Sequence, residues 1–147
     1  MKEKELLLDY VTAIYQNCST AIQSLEDIIP KVEDDKFKKL LAEHQDSYCV
    51  IADECKLFAK SENLDKIKDN NIIEKTRLWA SINISTLTDK TNRKISEMLL
   101  FGTFMGIITC IKDAADHENV SSDLDEILDK LKNLEKKNLK EYIPYLS

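Results

Sequence analysis

The stretch Met98-Leu-Leu-Phe-Gly-Thr-Phe-Met-Gly-Ile-Ile-Thr-Cys-Ile111 is the most apolar part of this 147-residue chain and holds both of its glycines. It predicts a helix that runs from about Asn92 to His117. Glycine inside a helix is less favourable than alanine by about 1 kcal/mol. Gly102 and Gly106 lie four residues apart and therefore share one face. We expect a close neighbour to pack against that face.

This helix has two different apolar faces. The bulky one comprises Leu100, Phe101, Phe104, Ile107, Ile108 and Ile111. The smoother one centres on Ile95, Gly102, Gly106 and Thr109 and is flanked by Met98, Leu99, Met105 and Cys110. A helix that is apolar all round is expected to be buried all round. The neighbour of the glycine face is then another helix of the chain, the same helix of a second copy in a homodimer, or an apolar ligand lined by methionines.

Two further long helices are predicted in the first half of the chain. The first spans Lys2 to Ile29, and the second spans Asp35 to Ser61. Both have residues at alternating spacings of four and three, which is the pattern of a packed helix seam. These positions are Leu7, Val11, Ile14, Cys18, Ala21, Leu25 and Ile28, then Phe37, Leu41, His44, Tyr48, Ile51, Cys55 and Phe58. The short connection predicts an antiparallel hairpin with Cys18 and Ala21 near His44 and Tyr48.

The remaining helices are less regular. A shorter one is predicted over 72–88, with Ile73, Trp79, Ala80, Ile84 and Leu87 buried. No proline or glycine separates it from the apolar helix, so one long bent helix is the alternative. The last helix begins near Ser122 and ends at Pro144, with core positions at Leu124, Ile127, Leu128, Leu131, Leu134 and Leu139. Together these predict a single all-α domain over 1–147, an up-and-down bundle of four long helices and one additional shorter helix.

Charge and composition exclude several classes of function. The net charge of -6 disfavours nucleic acid and anionic membranes. The lysines between Lys130 and Lys140 alternate with Asp129, Glu135 and Glu141, which is typical of a solvated, ion-paired face. The 14 residues from Met98 to Ile111 fall short of the roughly 20 that span a membrane. No signal peptide is visible, and four cysteines without metal-ligand spacing indicate reduced thiols in the cytoplasm.

The candidate chemistry rests on two histidines. His44 lies on the seam of the second helix. It is interpreted as a metal or haem ligand, as an acid/base group near Cys18, or as a neutral core histidine bonded to Tyr48 or a carbonyl. Asp113 and His117 lie one turn apart, as a divalent-cation site or as a charged helix end. Neither histidine belongs to the Glu-x-x-His motif of di-iron bundles, so a ferroxidase centre is not expected. No catalytic residue and no resident cofactor are predicted.

The segments Asn83-Ile-Ser-Thr-Leu-Thr-Asp-Lys-Thr91 and Ile95-Ser-Glu-Met-Leu-Leu-Phe-Gly-Thr-Phe-Met-Gly-Ile107 resemble a motif of small bacterial helical-bundle proteins with a ferritin-like fold. The resemblance implies that fold and brings no catalytic residue. We therefore predict a non-enzymatic cytoplasmic binding or interaction protein, a homodimer that binds neither nucleic acid nor membrane. The alternative is a ferritin-like protein with an atypical metal or cofactor site that uses His44 or the Asp113 and His117 pair.

Overall fold

Four long helices and no strand make up the residues that the computed structural model describes, which are 2–65, 67 and 87–147. The helices are α1 (Glu3–Ile28), α2 (Asp35–Ser61), α3 (Asn92–Asp116) and α4 (Ser122–Tyr142). Short 3-10 turns at Ile29–Lys31 and Ile143–Leu146 hold the two prolines. The all-α bundle is thus confirmed. The predicted helix over 72–88 lies outside the described residues, except for the half-buried Leu87 and the exposed Thr88, neither of which is helical.

Polar side chains fix the start of three helices. The Asp34 carboxylate accepts a hydrogen bond from the Phe37 amide at the start of α2. Thr91 does the same for the Lys94 amide at the start of α3. The α4 cap is Ser121, one residue before the predicted start, and its hydroxyl accepts from the Leu124 amide. Each such cap contributes about 1 kcal/mol of helix stability.

Contacts at the two ends of the bundle give the helix directions. α1 and α2 form the expected antiparallel hairpin, and the first turn of α3 lies beside the first turn of α2, where Asn92 Nδ2 donates to Asp34 Oδ2 at 3.2 Å. At the opposite end, the residue after α3, His117, lies 2.9 Å from Asp9 of α1. α2 and α3 therefore run in the same direction, and the chain between them connects opposite ends of the bundle. α4 returns antiparallel to α3.

The predicted seams of α1 and α2 form the core. Every seam position from Val11 to Ile28 and from Phe37 to Cys55 is buried, while Leu7 and Phe58 at the outer ends are half-buried. From α4 the core receives Leu124, Leu128 and Leu131 as expected, but Ile127, Leu134 and Leu139 are only half-buried. Three other residues of α4 are buried in their place, namely Glu135, Asn138 and Tyr142.

Candidate functional site

A buried polar cluster lies in the middle of the bundle, where all four helices contribute to it. Its members are Asn17 of α1, Tyr48 of α2, Cys110 of α3, and Glu135 and Asn138 of α4. Glu135 is the centre and is 1% exposed. The Cys110 thiol donates to its Oε1 atom at 3.4 Å, and the Tyr48 hydroxyl also bonds to the carboxyl. Neither amide atom of Asn138 completes a hydrogen bond of good geometry, although the amide lies beside the Tyr48 hydroxyl.

Gly106 makes room for this carboxyl. A Cβ atom at position 106 would overlap the Oε2 atom of Glu135 and crowd its Cδ atom. The adjacent carbonyl of Gly106 accepts a hydrogen bond from the Asn17 amide at 3.2 Å, which ties α3 to α1 at the same level. The close neighbour of Gly106 is therefore a side chain of the same chain. Because glycine has no side chain, the Glu135 carboxyl fits against α3 at this position, and any other residue would occupy that volume.

The placement of Glu135 corrects the sequence analysis, which assigned it to a solvated, ion-paired face. The spacing of α4 did contain a usable signal. Glu135, Asn138 and Tyr142 extend the alternating spacing of four and three of Leu124, Leu128 and Leu131 by a further eleven residues. When only apolar residues are used to trace a seam, a polar residue at a seam position is assigned to the surface. The seam continues through such residues because the position along the helix decides which side chains face the neighbouring helices.

Burial sets the ionisation of the cluster. It raises the pKa of Glu135 to about 8, although the bonds from Cys110 and Tyr48 oppose the shift. Glu135 is therefore mostly protonated at neutral pH, and an uncharged acid is tolerated in an apolar core where a lone carboxylate is not. Burial likewise raises the pKa of the Cys18 and Cys110 thiols well above the ordinary range, and that of Cys55 to about 12. None of these three thiols is activated as a nucleophile.

His44 is a core histidine at the end of the bundle where α3 begins. It is 2% exposed, and its Nδ1 atom lies 2.7 Å from the Tyr142 hydroxyl, not from that of Tyr48 as expected. Its Nε2 atom faces Glu141 at 3.5 Å. Burial lowers the pKa of His44, and Glu141 opposes this only in part. The ring is therefore neutral at pH 7.

Asp113 and His117 lie at the opposite end of the bundle from His44. His117 stacks on Tyr10 with ring centres 4.5 Å apart. Its Nδ1 atom bonds to the Asp113 carbonyl oxygen at 2.7 Å, and its Nε2 atom bonds to the Asp9 carboxylate at 2.9 Å. Burial lowers the pKa of His117, but these bonds outweigh it and raise the pKa overall. Burial also raises the pKa of Asp113 to about 6.

Both ring nitrogens of His117 are thus engaged by hydrogen bonds, and the carboxyl oxygens of Asp113 make no bond to the ring. Among the described residues, no group of three or more His, Cys, Asp or Glu side chains is placed to hold a metal ion. The structure brings His117 and Asp113 together and leaves His44 separate from both. His117, which is held by the Asp113 carbonyl, links the end of α3 to Asp9 of α1.

We expect Asp9→Asn to weaken this link in a pH-dependent way. Because the pKa of His117 is raised in the folded protein, its charged form stabilises the fold below the unfolded value of 6.5 and loses that effect as pH rises through the folded value. Asp9→Asn should lower the free energy of unfolding by about 0.5 kcal/mol at pH 6 and by less at pH 8.5. Urea unfolding measures both, with Glu5→Gln, an exposed change in the same helix, as the control. An equal loss at both pH values would contradict the charged pair.

The outer face of α3 reverses the expectation of a helix buried all round. This face comprises Phe101, Phe104, Met105, Ile108 and Ile111. Phe101 is 62% exposed, Phe104 54% and Ile111 55%, whereas Gly102 and Gly106 are buried. The physical reason is that α3 packs on α1 and α4, which both lie on its glycine side. Of the other residues named for close packing, Met98 is buried and Thr109 is half-buried, bonded to the Met105 carbonyl oxygen.

A shallow apolar groove adjoins this face. It has a volume of about 330 Å³ and is lined by Glu97, Leu100, Phe101, Phe104, Leu139 and Leu146. The groove lies where α3 meets α4 and the final 3-10 turn.

By length and composition alone, α3 is also the one helix in the described part of the chain that is apolar enough to cross a membrane. A packed helix of a bundle passes that test as well, so it is weak evidence for a membrane span.

No protein-family profile, no curated protein and no solved structure matches this chain.

Proposed function

We propose that this protein is a non-enzymatic interaction protein that binds a protein partner through the outer face of α3. The observation that carries the proposal is the exposure of Phe101, Phe104 and Ile111 on one continuous helix face. Contiguous apolar surface on a folded domain marks an interaction site, because water disfavours it. The side chains that could take part in a reaction do not form an accessible site, since Glu135, Cys110 and His44 lie enclosed among the helices.

We infer a ferritin-like bundle as the scaffold. The support is topological. α2 and α3 run in the same direction and are joined by one long connection, and a bundle with one long crossover is the ferritin-like arrangement. The metal-binding version of that scaffold is the weaker alternative, because both nitrogens of His117 are engaged and His44 is turned toward Tyr142.

A cytoplasmic location fits the chemistry of the thiols. All four cysteines are free, and three of them are buried. Free thiols persist in reducing compartments. The net charge of -6 and the mixed charges of α4 favour a protein partner over nucleic acid.

Site-specific photo-crosslinking tests the proposal. A benzophenone-bearing phenylalanine analogue at position 101 or 111 should form a discrete protein adduct in the cells that express the chain. The same analogue at position 57 is the control, because Leu57 is 67% exposed on α2, away from the outer face of α3. Mass spectrometry of the adducts identifies what is bound. The proposal fails if positions 101 and 111 yield no more protein adduct than position 57, or yield lipid adducts instead.

A further inference from the structure

The outer face of α3 carries a charge pattern that indicates its partner. Glu97 precedes the apolar residues of this face and Lys112 follows them, and both are exposed. They lie at equal distances along the helix from the midpoint between Phe104 and Met105. Phe101 and Ile108 are equidistant from the same midpoint. The face thus has a negative charge at one end and a positive charge at the other. When a second copy is placed against it in the reverse direction, each negative end faces a positive end.

We infer that the partner is a second copy of this chain, docked with the two α3 helices antiparallel about a two-fold axis through that midpoint. This rests on the proposed function and names the occupant of the same face. In this register Glu97 of each chain meets Lys112 of the partner subunit, so two interchain ion pairs close the apolar contact. Phe101 packs against Ile108 of the partner subunit, and Phe104 lies beside Phe104 of the partner subunit. A two-fold contact uses one patch twice and needs no second surface.

The opposite alignment is disfavoured by the same charges. Two parallel α3 helices related by a two-fold axis would place Glu97 against Glu97 and Lys112 against Lys112. Like charges across an interface are repulsive and select against that arrangement. The antiparallel alignment also opposes the helix dipoles, which is the favourable sense for neighbouring helices.

The groove beside α3 supports the antiparallel register independently. When the two-fold axis is perpendicular to the helices, the same flank of α3 lies on the same side of the contact in both copies, while the helix direction is reversed. Ile111 lies on the same side of α3 as Leu100 and Phe104, which line the groove at the other half of the helix. The partner subunit's Ile111 therefore faces the groove, which offers it apolar walls. Burial of its side chain there is the kind of anchor that dominates interface stability.

A membrane is the less fitting occupant. Glu97 and Lys112 limit the apolar run to the 14 residues between them, which cover about 21 Å of helix. The hydrocarbon core of a bilayer is about 30 Å thick. The buried side of α3 also holds polar contacts to Asn17 and Glu135, which a membrane-inserted helix would have to give up.

Charge reversal tests the inference, with sedimentation equilibrium of the full chain as the readout. Glu97→Lys and Lys112→Glu should each weaken the dimer about tenfold, since each puts two like-charge pairs in place of two ion pairs. The double variant Glu97→Lys/Lys112→Glu restores opposite charges and should recover the dimer to within about threefold. Lys39→Glu is the matched control, because it makes the same charge change at an exposed position of α2, whereas Lys94 is unsuitable since it lies 3.7 Å from Glu97 in the same chain.

The outcomes separate this inference from the proposed function. Recovery in the double variant, with little change for Lys39→Glu, supports the antiparallel pair. Single reversals that leave the dimer intact overturn the register, and a monomer at every concentration overturns the second copy as occupant. In either case, specific protein adducts from positions 101 and 111 would still support the proposed function. If no such adducts form, both the proposed function and the antiparallel dimer are wrong.

Discussion

Glu135→Gln should abolish most of the alkaline loss of stability that we expect of this protein. The pKa of Glu135 rises from 4.5 to about 8 on folding, because the carboxyl is taken out of water. Between these values the folded state binds more protons than the unfolded state, so the free energy of unfolding falls as pH rises. The slope is about 1.4 kcal/mol per pH unit for one group, and the loss from pH 5 to pH 8 is about 4 kcal/mol. Glutamine has the same shape and no proton to lose.

Urea unfolding at intervals from pH 5 to pH 8.5 measures this effect as a difference between the two proteins. The difference isolates Glu135, because Asp113, His44 and His117 titrate in the same range in both proteins. Glu118→Gln, an exposed change near the end of α3, is the control and should parallel the native chain. Parallel curves for native protein and Glu135→Gln would show that the carboxyl is not buried in the folded state.

Gly106→Ala should destabilise the protein, although alanine is the better helix former. Helix propensity alone predicts a gain of about 1 kcal/mol. The new methyl group, however, occupies the space of the Glu135 carboxyl. The carboxyl is the end of a flexible side chain, but it is enclosed and bonded to Cys110 and Tyr48, so moving it breaks those bonds inside the core. Overpacking of this kind costs about 1–3 kcal/mol, and a net loss of about 1 kcal/mol follows.

A double-mutant cycle distinguishes this cause from a general intolerance of alanine. In a Glu135→Ala background the space is free, and Gly106→Ala should then stabilise the fold by up to about 1 kcal/mol. The change of sign is measured by urea unfolding at pH 5, where Glu135 is protonated. The same effect of Gly106→Ala in both backgrounds would mean that the carboxyl does not lie against α3.

The parts of the fold that follow from sequence are those with regular apolar spacing. The seams of α1 and α2 were predictable because apolar residues recur without interruption along both helices. The shared direction of α2 and α3 is also what an up-and-down order implies when a further helix is predicted between them, over 72–88. The helix bounds themselves agree closely, within one residue for α2 and α3.

The candidate site was harder to predict, and the two faces of α3 show why. Periodicity separates a glycine face from a phenylalanine face but says nothing about which one the neighbouring helices cover. The bulky face is the natural choice for the core, yet the structure buries the glycine face, where the absence of a side chain at Gly106 leaves room for the Glu135 carboxyl. The packing of α1 and α4 on that side leaves the phenylalanine face exposed. Glu135 and Gly106 lie far apart in the sequence, so only the fold relates them.

The mass of the native protein in solution tests most directly whether the outer face of α3 holds a second copy of this chain. Sedimentation equilibrium should give twice the 16.9 kDa mass of one chain for the native protein. Phe104→Glu, which places a charge at the centre of the face, should give a single chain with unchanged helix content by circular dichroism. A native mass of one chain, or a Phe104→Glu variant that keeps the doubled mass, would contradict the account.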